Sequence, residues 1–143
     1  MKRKKKAIVQ KHYLGCVVAC VAFVLNTTYS NSLKLFKNGK TRAERKGFYC
    51  RETVKVLNSL NKYCRYKYIK NSMKKNIYKD KTIIFVGRSK KYPSGHYLCR
   101  YNNLWMDPWI NFPKNKNIKK AEASFRKRLP GKPIYGIFFL VNK

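Results

Sequence analysis

The chain has 143 residues, enough for one compact domain and too few for two hydrophobic cores. A hydrophobic fraction of 44%, with eight Phe and two Trp, excludes a disordered basic tail. Thirty-five Lys and Arg against five acids give a formal charge of +30, which favours polyanionic neighbours: nucleic acid, an anionic membrane face or an acidic substrate.

In chain order, residues 1–6, with their run KRKKK, read as a solvated, mobile tail, and residues 7–143 as a single domain. From Tyr13 to Leu25 the chain is apolar on every side, YLGCVVACVAFVL, which predicts a buried helix or the apolar region of an export signal. The run is too short to span a bilayer, and no other segment could. NTTYSNS ends that element and NGKTRAERKG reads as a loop. In YCRETVKVLNSLNKY the apolar positions Val54, Val56, Leu57 and Leu60 predict a helix packed on one face. CRYKYIK alternates as a strand does, KTIIFVGRS is a stronger strand, and PSGHYLCRYNNLWMDPW predicts a hairpin turning at Asn102 and Asn103. IKKAEASFRKRL predicts a short helix, broken by Pro130 and Gly131, and IYGIFFLVN a last strand. Helices first and strands after give an α+β fold.

Five cysteines cannot form a complete disulfide framework, and Cys16, Cys20, Cys50, Cys64 and Cys99 fit no zinc-finger spacing. His12, Cys16 and Cys20 recur every four residues, but no second ligand pair accompanies them, so no metal and no cofactor is expected. Unpaired thiols imply a reducing, cytoplasmic setting, with secretion through the N-terminal segment as the alternative. Export needs a small-residue cleavage site, which NTTYSNS does not offer.

The rival reading of the apolar helix makes it the carrier of a nucleophilic cysteine, which demands a histidine and an acid further along. Only His12 and His96 exist, and His12 lies four residues from Cys16 with no acid near it in sequence. With Asn102 and Asn103 as a two-residue loop, Tyr101 pairs with Leu104 and Leu98 with Asp107. His96 and Asp107 then project from one face as diagonal neighbours.

Gln10, Cys16, Cys20 and Ala22 in the pattern Q-x5-C-x3-C-x-A, then GHY at His96 and DP at Asp107, resemble the bacteriocin-processing, double-glycine-leader peptidases, a family of papain-like cysteine peptidases. AEASFRKRLPGKPIYGIFFL resembles that family's closing segment, and the match runs in order over nearly the whole chain. Val17 stands where the family usually has Gly, and no transporter segment accompanies the domain, so a stand-alone form is implied. The resemblance implies N-terminal helices packed on an antiparallel sheet in a papain-like fold, and a peptide or protein substrate. It also implies Cys16 as nucleophile, His96 as its proton partner, Asp107 orienting the ring, and Gln10 in the oxyanion hole. Trp105 and Trp109 read as packing residues or walls of a substrate groove, and the other four cysteines as core.

The mechanism is shared by peptidases, deamidases and transglutaminases, which differ in the second nucleophile. Two readings compete with it. One is a basic module binding nucleic acid, or a catalytically inactive relative kept for binding. The other is an exported effector.

Overall fold

The apolar run forms α1 (Cys16–Leu25), and its all-round hydrophobicity has a direct cause: residues from Cys16 to Val24 are all buried. Val17, Val18 and Val21 are wholly enclosed, each worth about 1.5–3 kcal/mol of transfer free energy. The helix stops at Asn26, which adopts a left-handed conformation while Thr27 N–H closes onto Ala22 O at 3.0 Å. The computed structural model describes residues 5–73 and 75–140.

Three further helices follow: α2 (Tyr29–Lys34), α3 (Gly39–Arg45) and α4 (Cys50–Ser59). Thr28 caps α2 by accepting from Asn31 N–H at 3.1 Å. Glu52 accepts from Tyr49 N–H at the start of α4 and pairs with Arg42 of α3, tying the two helices together. The strands are β1 (Cys64–Tyr68), β2 (Ile83–Val86), β3 (His96–Tyr101), β4 (Leu104–Asp107), β5 (Ser124–Arg126) and β6 (Pro133–Phe139). They form one antiparallel sheet in the order β1-β6-β2-β3-β4-β5. The fold is therefore α+β, with helices preceding strands.

Strand alternation divides the interior into two layers. Ile83, Tyr97, Cys99, Met106 and Ile137 face α1 in the helical layer. Ile84, Val86, Leu98 and Trp105 face the other way, where loops carrying Ile77, Trp109 and Phe112 cover them.

Several expectations need correction. NTTYSNS ends the first helix as expected, but α2 begins within it at Tyr29, and the expected loop at NGKTRAERKG contains α3. The expected helix in IKKAEASFRKRL is instead a short 3-10 turn, Ile118–Lys120, followed by the edge strand β5. Pairing with β4 overrides the local helix-forming composition there. Residues 1–4 of the expected mobile tail lie outside the described residues. Lys5 does not behave as tail: its Nζ donates to Phe23 O at 2.7 Å and lies 4.3 Å from the Phe23 ring centre. The last strand ends at Phe139, and residues 141–142 of the stretch expected to form it lie outside the described residues.

Candidate active site

Cys16 is the first residue of α1. Its N-cap, Gly15, offers no side-chain acceptor, and the first amide to bond back is Ala19 N–H, onto Gly15 O at 3.2 Å. The N–H groups of Cys16, Val17 and Val18 are thus left at the open, positive end of the helix. Gly15 is fixed by space rather than by backbone angle, because a Cβ there would lie 2.0 Å from the Tyr29 hydroxyl oxygen. Val17 packs wholly inside the core.

His96 opens β3 and Asp107 closes β4. The hairpin turns through Asn102 (φ 49°) and Asn103 (φ 65°), and Tyr101 pairs with Leu104. Continuing that ladder sets His96 diagonal to Asp107, and His96 Nε2 meets Asp107 Oδ1 at 2.6 Å. Trp109 N–H donates to the same oxygen at 3.0 Å, and Arg126 Nη1 to Oδ2 at 2.9 Å. Arg126 reaches Asp107 by the same diagonal rule, since Ser124 pairs with Asp107 and Arg126 with Trp105.

The electrostatics follow from this setting. Burial pulls the His96 pKa down, but the Asp107 carboxylate and Cys16 outweigh it and raise it from 6.5 to about 9. Burial works against ionised Asp107, yet the bonds from His96, Trp109 N–H and Arg126 hold its carboxyl below the usual range. His96 is therefore imidazolium at neutral pH. With Nε2 committed to Asp107, Nδ1 is the ring nitrogen left for Cys16.

Aromatic rings fix the imidazole plane. Tyr92 stacks on it at 4.6 Å and 3°, and Phe112 stacks on Tyr92 at 5.6 Å. The YPSG turn makes this fit: Gly95 N–H donates to Tyr92 O at 2.9 Å, and Gly95 takes φ 77° where a side chain would strike Phe85. Trp109 lines the cleft beside Cys16, whereas Trp105 does not. Trp105 is packed away from the cleft, with the Arg100 guanidinium 4.9 Å from its ring centre, which corrects its reading as a groove wall.

Gln10 is buried beside Cys16 in the same cleft, but its Nε2 donates to His12 O at 3.0 Å and Tyr13 O at 3.1 Å. Both amide hydrogens tie the loop before α1, so service to an oxyanion requires one bond to be exchanged. Gln10 Oε1 and Trp109 Nε1 are buried without partners among the described residues, leaving one acceptor and one donor on the cleft wall.

His12 turns away from the thiol. Its Nδ1 meets the Tyr29 hydroxyl at 3.0 Å and its Nε2 lies 3.9 Å from Glu44, an acid remote in sequence that the fold brings close. His12 also precedes the helix, so it shares no helix face with Cys16 and Cys20. Among the described residues no group of three metal-ligating side chains converges. Cys20, Cys50, Cys64 and Cys99 are buried thiols whose pKa values burial raises, to about 11 for Cys64 and about 12 for Cys99. No helix among the described residues is long and apolar enough to cross a membrane.

Cys16 and His96 open on a cleft of about 670 Å³, walled by the α3–α4 connection, the start of β3 and the Trp109–Phe112 loop. Sequence reasoning missed Arg126 and Tyr92. Arg126 was one basic residue among many in a segment read as helix, and Tyr92 carried only the turn signal of Pro93 and Gly95. Comparison with known protein families and with curated proteins finds no match for this chain.

Proposed function

We propose that this chain is a papain-like cysteine peptidase acting through Cys16, His96 and Asp107. The observation that carries the reading is buried His96, held 2.6 Å from Asp107 and coupled on its other side to Cys16, which lines the cleft from the N-terminus of α1. In this reading Cys16 Sγ, as thiolate, attacks the acyl carbon of a peptide bond. The carbonyl π electrons move onto oxygen, and the resulting oxyanion is met by the Cys16 N–H. Collapse expels the amine, which takes its proton from His96 Nδ1, and an acyl-thioester remains. Neutral His96 then removes a proton from water, hydroxide adds to the thioester, and collapse returns acid product and Cys16 thiolate with His96 protonated. Asp107 holds the ring throughout, and Arg126 and Trp109 N–H hold Asp107.

The place of the apolar run in the core supports a catalytic helix over an export segment, because removing it would delete most of the helical layer. A deamidase or transglutaminase would use the same first half. Hydrolysis of a peptide library, read by mass spectrometry for wild type and Cys16→Ala, tests the proposal. New termini from the wild type alone support it. Nucleic-acid binding with a steep salt slope, without turnover and indifferent to Cys16→Ala, would favour the binding module.

A further inference from the structure

The cleft has a charge pattern that the catalytic residues do not explain. Beyond His96 its rim carries Lys46, Arg51 and Arg88, and no acid lines it. All three cations are exposed, and none has an ion-pair partner among the described residues. Four of the five acids are engaged elsewhere, Glu52 by Arg42, Asp107 inside the site, Glu44 beside His12 and Asp80 by Asn102 N–H, and the fifth, Glu122, does not line the cleft. The Arg51 guanidinium lies 5.8 Å from the Tyr49 ring centre, which steadies the planar fork over the cleft. Between the cations the wall is aromatic, with Tyr66 and Tyr135 partly exposed.

Building on the peptidase reading, we infer that this cleft selects acidic peptides, with Lys46, Arg51 and Arg88 reading carboxylates that flank the bond presented to Cys16. A peptide fits better than a nucleic acid for two reasons. The cleft leads to a thiol that acts on acyl carbon, which nucleic acid does not offer. Tyr135 is also engaged edge-on with Tyr68 at 5.8 Å and 79°, an arrangement that spends its ring on a neighbour rather than on stacked bases. Three unpaired cations around a partly enclosed cleft focus the field, so attraction is stronger there than on the open surface.

The test uses Cys16→Ala as a non-turning trap, a fluorescein-labelled Glu-rich decapeptide, and its Gln counterpart, read by fluorescence polarisation. The Glu peptide is expected to bind about tenfold or more tighter. That preference should collapse in Lys46→Glu/Arg51→Glu/Arg88→Glu. It should survive in Lys116→Glu/Lys119→Glu/Lys120→Glu, which removes the same charge from exposed positions outside the cleft. Single Arg51→Gln, a change at an exposed position, should weaken the Glu peptide severalfold and keeps the test usable if the triple variant misfolds. Equal binding of the two peptides, equal loss in the two triple variants, or an oligothymidylate competing equally well in both triple variants would overturn the inference. Wild type that binds the Glu peptide selectively but leaves it uncut would instead overturn the peptidase reading and keep this one.

Discussion

His96 and Asp107 stand on neighbouring strands, diagonal rather than directly paired, and their side chains meet at 2.6 Å inside the protein. A hairpin loop of odd length would have put them on opposite faces. The Asn102–Asn103 turn therefore does chemical as well as structural work, because it brings an acid to the one histidine beside Cys16.

Asp107→Asn should leave the hairpin in place and remove the charge that holds up the His96 pKa. Histidine titration by NMR should show His96 falling below its wild-type value of about 9, since burial then acts unopposed by the carboxylate. Peptide hydrolysis should fall about a hundredfold or more. An unchanged titration would break the link between the two residues.

Stability should depend on pH through the same ring. Its pKa rises from 6.5 unfolded to about 9 folded, so the stabilisation is complete below 6.5 and is lost as pH climbs through 9. The full contribution is about 3 kcal/mol. Urea unfolding from about pH 6 to about pH 10 should show wild type losing more stability than His96→Asn.

Arg126→Met should weaken the hold on Asp107. A depressed carboxyl stabilises the fold above its unfolded pKa and loses that contribution as pH falls through its folded one. With Arg126 gone the depression shrinks, so the acid-unfolding midpoint should move to higher pH. Far-UV circular dichroism against pH measures it, and an unmoved midpoint would deny Arg126 this role.

Much of this site was legible in the sequence, and its gaps have physical causes. The hairpin could be read because two asparagines tolerate positive φ and the flanking strands alternate. α3 could not, because it buries Gly39 and Ala43, small residues that leave no apolar stripe. α2 has only six residues and buries Tyr29 and Ser32, with Ser32 Oγ donating to Val18 O at 2.8 Å. β5 has three residues and exists through its pairing with β4, so its helix-forming composition misled. Gln10 was found, but its bonds to His12 O and Tyr13 O depend on how the loop closes, which spacing does not encode.

Gly15→Ala should cost about 1–3 kcal/mol, because the new methyl would overlap the Tyr29 hydroxyl. Adding Tyr29→Phe removes the overlapping oxygen and should recover part of the loss in a thermal melt. No recovery would mean that the clash is not with that hydroxyl.

The most direct test of the central claim is site-resolved alkylation of the folded protein by iodoacetamide at neutral pH, read by mass spectrometry. The account predicts that Cys16 labels far faster than Cys20, Cys50, Cys64 and Cys99, and that His96→Ala slows it by about tenfold or more. A Cys16 as inert as the four core cysteines, or one indifferent to His96→Ala, would contradict it.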